Sequence, residues 1–336
     1  MADGRLATLA VESALGGAGR YSLTYVAKSA ALDPRFLRSV RQATGRPNPA
    51  PRERVFNDED VEFARLLRRF LEAGLPREEL LEACRVLGQG MASSADAVRR
   101  LVANALLQPG DSEYTLGLRY AEAVDQMGPL VPRVLDHQFR AHLRDGIRRE
   151  LASGAEREAG TLAQTSDVAI AFADLVGYTR LGEKLPAESL GQIAGRLSEL
   201  AVRATVRPVR LVKMIGDAAM FMSPEVPALV ATVAALVQSI DAEGPQFPSI
   251  RVGVTYGPAT TRGGDWFGTT VNTASRITDL AKPGLIIGTD AVVEASPGYA
   301  WKRKRRRALK GVEGRVRLFA LEGPRPRPAE QGAFRR

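Results

Sequence analysis

Between Tyr21 and Ala152 apolar residues recur every three or four positions, the period of helices buried along one side. Ser22 is placed to cap a helix running to about Ala31, and Asp33-Pro34 supplies an N-cap and first-turn proline for a second. A proline-rich linker over Gly45–Pro51 follows. Asn57 then heads an amphipathic helix whose Val61, Ala64, Leu67, Phe70 and Leu71 share one side. Gly74 ends that helix and Pro76 opens another that runs towards Gly88. A further helix is expected over Ala92–Leu107, stopping at Pro109-Gly110, and long helical material over Asp111–Ala152, interrupted at Gly128-Pro129. The expectation is an all-helical domain over residues 1–155, with a linker over 156–165 announced by Ser153-Gly154 and containing Gly160.

From about Thr165 the pattern shortens to alternation and short apolar runs. It predicts a strand (Asp167–Ala173), a helix (Ala187–Thr205) and a hairpin over Arg210–Phe221 that turns at Ile215-Gly216-Asp217. A helix (Pro227–Ile240), a strand (Ser249–Tyr256), a glycine-rich loop, a helix (Thr269–Leu280) and a strand (Leu285–Gly288) come next. Terminal strands near Trp301–Leu309 and Arg315–Leu321 complete the series. A β-α-β-β-α-β core with extensions is an α+β, ferredoxin-like or palm arrangement, expected over 166–322. Residues 323–336, rich in proline and arginine, read as a disordered tail.

Composition narrows the setting. A chain of 336 residues exceeds one comfortable core, which agrees with two domains. A net charge of +9 suits polyanionic partners, whether nucleic acid, anionic lipid or a small phosphorylated substrate. Cys84 is the single cysteine, so no intrachain disulfide can form, and a reducing compartment fits. No basic-then-apolar leader opens the chain, and the most apolar run, Val226–Val237, is too short to span a bilayer. The expectation is a cytoplasmic protein without a transmembrane segment.

Candidate chemistry gathers around carboxylates. Asp174 ends the first strand of the second half and Asp217 stands at the tip of its hairpin. Singly, a strand-end aspartate is ordinarily a turn residue. Two on neighbouring strands can hold a pair of hard divalent cations, about 3.5–4 Å apart, that clamp the attacking and leaving oxygens of a phosphoryl displacement. Asn272 and Arg276 fall one turn apart on the same face of the helix expected from Thr269.

Taken together, FADLVGYT, VKMIGDAAM and DWFGTTVNTASRI, followed by LKGVEG, resemble the class III nucleotidyl cyclases in order and spacing, over about Thr165–Leu321. The resemblance implies that Asp174 and Asp217, with the backbone carbonyl of Leu175, hold two Mg²⁺ or Mn²⁺ ions. It implies that the N–H groups of Gly177, Tyr178 and Thr179 meet phosphates, that Arg276 stabilises charge on the α-phosphoryl group, and that Asn272 orients the ribose. Lys213 and Asp265 would read the base. A lysine donor and a carboxylate acceptor match adenine and not guanine, which points to ATP. Lys310 would contact the terminal phosphates or be a surface lysine beside the basic run Lys302–Arg307. Family geometry further implies a homodimer in which metal-binding and base-reading residues of one site come from opposite subunits. Gly263-Gly264-Asp265-Trp266-Phe267 mimics the signature of diguanylate cyclases, but it follows the fourth strand and lacks the second acid of that motif.

The helical half supports two readings. Ser22–Ala43 and the segment after it resemble the head of MerR-type DNA-binding domains, with Arg35, Arg38 and Arg41 on one face towards phosphates. The same half, with Gly88–Ala92 and its long final helix, also resembles the regulatory domains of bacterial soluble class III cyclases, some of which respond to pH or bind lipid-like ligands. Regulation is the favoured reading and nucleic-acid binding the alternative, coupled to a catalytically silent nucleotide-sensing domain. His137 and His142 lie on the helix approaching the linker, where a protonation change could bias it.

Overall fold

The computed structural model describes residues 17–106, 108–152, 165–310, 312 and 314–324. The chain divides into two compact units between Thr161 and Leu162.

Among the described residues of the first unit, six helices follow the amphipathic pattern: α1 (Leu23–Ser29), α2 (Pro34–Ala43), α3 (Asp58–Glu72), α4 (Arg77–Leu106), α5 (Glu113–Met127) and α6 (Val131–Ala152). Ser22 and Asp33 cap α1 and α2 through their side chains, and Asn57 and Asp60 close a reciprocal capping box on α3. Val26, Phe36, Leu37, Val40, Ala64 and Leu67 form the core of α1, α2 and α3.

Two expectations change. The helix thought to end near Gly88 and restart at Ala92 is one 30-residue helix, α4. A mid-helix glycine costs only about 1 kcal/mol, too little to break so long a run of helix formers. Gly88 is spent on proximity, since a Cβ there would lie 2.5 Å from the Cα of Thr44, just past α2. The second change concerns the arginines of α2. Arg35 and Arg38 are exposed, but Arg41 turns inward, 4.9 Å over the Phe56 ring, and its Nε donates to the Pro47 carbonyl at 2.6 Å. The three do not present one phosphate-facing row. Residues 153–164, which contain most of the expected linker, lie outside the described residues.

The second unit is built on a mixed sheet. Its strands are β1 (Thr165–Leu175), β2 (Arg210–Ile215), β3 (Ala218–Ser223), β4 (Ile250–Arg262), β5 (Asp265–Phe267), β6 (Ile286–Thr289), β7 (Tyr299–Arg303) and β10 (Leu318–Pro324), ordered β2-β3-β1-β4-β6-β10-β7 with β5 paired to β4. Every pairing is antiparallel except β4 with β6. A separate ribbon joins β8 (Arg307–Ala308) to β9 (Arg315–Val316). Among the described residues five helices accompany the strands: α7 (Tyr178–Leu181), α8 (Ala187–Ala204), α9 (Val226–Asp241), α10 (Thr269–Leu280) and α11 (Asp290–Ala295).

Alternation along β1 sorts its two faces. Ala169, Ala171, Ala173 and Leu175 pack against α8 and α9 residues such as Leu197, Leu229 and Leu236. Val168 and Ile170 look the other way, onto Met220, Trp266 and Ala274 of α10. Gly253 lets α10 lie directly on β4, because a Cβ there would sit 2.5 Å from the Thr278 hydroxyl and 2.6 Å from the Ala274 carbonyl. The glycine-rich loop expected after the fourth strand is instead a hairpin. β4 continues to Arg262 opposite Asp265, and Gly263 and Gly264 both take positive φ (59° and 79°), as a tight two-residue turn demands. Burial of Trp266 holds that hairpin down.

The terminal strands are interrupted by the β8–β9 ribbon: the first ends at Arg303 and the last begins at Leu318. Gly323 and Pro324, expected in the tail, still pair with β7, and residues 325–336 lie outside the described residues. Among the described residues no helix is long and apolar enough to cross a membrane.

Candidate active site

Asp174 occupies the end of β1, opposite Ala218 on β3 and Arg251 on β4. Gly216, with φ 60°, turns the β2–β3 hairpin, and the Leu175 N–H donates to the Asp217 carbonyl at 3.1 Å. The two aspartates therefore share one end of adjacent strands. Arg251 completes the cluster. Its Nε and Nη2 both donate to Asp174 Oδ2, at 2.9 and 2.7 Å, while its Nη1 and Nη2 reach the carbonyl and carboxylate of Asp279 at 3.0 and 3.2 Å. Burial pushes the Asp174 carboxyl above its ordinary pKa, the Arg251 guanidinium draws it back, and the charges of Asp217 and Asp279 push the same way as burial.

Sequence reasoning passed over Arg251. Its signal was a charged residue inside the apolar run IRVGV of a central strand, a position that requires a counter-charge.

The other candidates are spread over several further elements. Lys213 and Asp265, 52 residues apart in sequence, form an ion pair between β2 and the start of β5. A bulge between Leu211 and Lys213 sets Lys213 opposite Met220, and Asp265 Oδ1 accepts the Trp266 N–H at 2.9 Å. Both side chains keep some solvent access, at 39% and 27%. On α10, Thr270, Thr273, Ala274, Ile277 and Thr278 are buried, which leaves Asn272 and Arg276 on the outward side. Gly177, in a left-handed conformation (φ 77°), precedes α7, whose first N–H groups have no partner within the helix. Thr179 is exposed, whereas the Tyr178 hydroxyl is committed to the Leu190 carbonyl at 2.9 Å. Lys310 is exposed beyond β8. His137 and His142 are exposed on α6, in the first unit.

The donor set suits hard divalent ions. Two carboxylates and a main-chain carbonyl offer only oxygen, and a guanidinium already stands on Asp174 as a positive charge. No group of three or more His, Cys, Asp or Glu side chains able to hold a metal occurs among the described residues. A cation held by these groups would need substrate phosphates or water to complete its coordination, as Mg²⁺ commonly does.

Comparison with known proteins decides the family. Residues 2–147 match the adenylate cyclase regulatory domain, and residues 161–323 the adenylate and guanylate cyclase catalytic domain. A pH-sensitive adenylate cyclase of Mycobacterium tuberculosis is 36% identical across 97% of this chain and 84% of its own length. The chain belongs to the adenylate cyclases.

An adenylate cyclase of Streptomyces coelicolor is 29% identical over 83% of this chain and 72% of that protein. The solved adenylyl cyclase of P. aeruginosa is 22% identical with a TM-score of 0.40, covering 48% of this chain and 96% of that one. In this cyclase the helical half, by its family match, is a regulatory domain. The Gly-Gly-Asp-Trp-Phe segment that mimics another cyclase signature is the turn and the second strand of the β4–β5 hairpin.

Proposed function

We propose that this cyclase converts ATP into 3′,5′-cyclic AMP and pyrophosphate in two equivalent sites shared across a homodimer. The Lys213–Asp265 pair carries the reading. Two strands distant in sequence deliver one donor and one acceptor side by side, the complement of adenine's ring nitrogen and exocyclic amine. Guanine presents the reverse order.

Asp174, Asp217 and the Leu175 carbonyl are the residues suited to hold two Mg²⁺ or Mn²⁺ ions. When bound, such ions acidify the ribose 3′-hydroxyl and neutralise the triphosphate. The remaining work belongs to side chains. Asn272 fixes the ribose so that its 3′-oxygen faces the α-phosphorus, and Arg276 donates to the non-bridging oxygens as their charge grows. The α7 N–H groups and Lys310 receive phosphate oxygens. Arg251, held on Asp174 and Asp279, keeps a positive charge beside the metal-binding carboxylate. The outward side of α10 supports a shared site, because Asn272 and Arg276 point away from the sheet that carries Asp174.

In this reading residues 1–155 regulate the catalytic part at 166–322 in the cytoplasm, through pH or a small or lipid-like ligand. The M. tuberculosis relative's pH sensitivity motivates the first of these. Purified full-length protein should form cyclic AMP from ATP with Mn²⁺ and little cyclic GMP from GTP. Equal turnover of both nucleotides would refute the base assignment. Silence of both the whole chain and a 156–336 fragment would refute catalysis.

A further inference from the structure

Nine of the sixteen residues from Lys302 to Arg317 are lysine or arginine and one is acidic, a surplus of eight against +9 for the entire chain. The run starts on β7, the outermost strand of the sheet, and continues through the β8–β9 ribbon. All nine basic side chains belong to exposed residues. Lys302 pairs with Glu322 at 3.8 Å and Arg317 with Asp290 at 2.9 Å; the other seven make no ion pair with a described residue, and six of these remain once Lys310 is reserved for the substrate phosphates. Charges of one sign at this density repel one another and work against the fold. Guarding a sheet edge from unwanted strand pairing needs a lysine or two. The surplus calls for a polyanion.

We propose that this strip docks the cyclase on an anionic lipid bilayer. Single-stranded nucleic acid is a poorer match, because base stacking requires exposed aromatic rings. The tryptophan here, Trp301, packs against Gly288 and donates its Nε1–H to Ser296. Duplex DNA is read by a helix or ribbon that fills a groove, and β8–β9 has two residues per strand. A bilayer asks for neither, only for cations spread along one edge, each strengthening attachment about fivefold. No large apolar side chain among the described residues of 299–324 is exposed, so attachment is electrostatic and reversible by salt.

The test is co-sedimentation of the full-length protein with phosphatidylglycerol-rich vesicles and with pure phosphatidylcholine vesicles, at low and high NaCl. Binding is expected on the acidic vesicles alone, with release by salt. A Lys304→Glu/Arg305→Glu/Arg306→Glu variant should partition at least about tenfold less while keeping its melting temperature and its cyclic AMP production in solution. Equal binding to neutral vesicles, no binding at low salt, or tighter binding to duplex DNA than to vesicles at equal phosphate concentration would each overturn the proposal. Should the variant misfold, lipid composition and salt decide on the unaltered protein.

Discussion

Asp265 carries two duties at once, an ion pair to Lys213 and a hydrogen bond from its neighbour's N–H. Asp265→Asn keeps the shape and removes the charge. It should lower kcat/KM for ATP by about 10- to 100-fold and narrow the preference over GTP, a loss typical of a buried polar contact to substrate. An unchanged ATP-to-GTP ratio in steady-state assays would argue that these residues do not read the base. Both partners were legible in the sequence because the motifs around them are specific. Their contact was not, since it depends on a bulge in β2 and on a hairpin where a loop was expected. Arg251 was hidden for a simpler reason. One arginine in an apolar strand shows that a counter-charge exists but not which of the chain's acids supplies it.

Elements were read well where a side chain marks their ends. Ser22, Asp33 and Asn57 cap as their types predict, and the hairpin turns at Gly216. Glycines misled where they serve closeness and not a turn, as at Gly88 in the middle of α4. Gly253 is the catalytic unit's counterpart. Gly253→Ala should destabilise the protein by about 1–3 kcal/mol and displace α10 with its Asn272 and Arg276, which thermal melts and activity can follow together. A wild-type melting temperature would show that α10 can give way.

A second element-scale prediction concerns α8 and the turn after α9. Arg196 holds Glu243 in a two-pronged contact at 2.7 and 3.0 Å, and this keeps the Glu243 carboxyl below its ordinary pKa. A lowered carboxylate stabilises the fold above the unfolded glutamate value of about 4.3, and that contribution fades as pH falls through the lower folded value. The stability gap between the native protein and Glu243→Gln should therefore close on acidification from pH 6 towards about pH 3. A gap that stays constant would mean the contact acts through shape alone.

For the whole molecule, shared sites make a distinctive demand. Asp174→Ala and Arg276→Ala should each be inactive and regain up to about a quarter of native turnover when mixed, since random exchange makes half the dimers mixed and each of those has one intact site of two. No recovery despite demonstrated subunit exchange would place all the machinery in one chain. Regulation is tested from the other unit. A His137→Ala/His142→Ala variant should flatten the pH–activity curve if α6 is the sensor, and an unaltered curve would remove both histidines from that role.

Both contacts from Arg251 to Asp174 land on Oδ2. Oδ1 has no recorded partner, and among the described residues no buried side-chain oxygen lacks one, so this oxygen faces water. In the proposed reading, a cation arriving from solution would meet lone pairs that only water occupies. When Mn²⁺ is added last, cyclic AMP formation should accordingly show no lag that the Asp174→Asn variant abolishes, because this oxygen has no protein partner to give up.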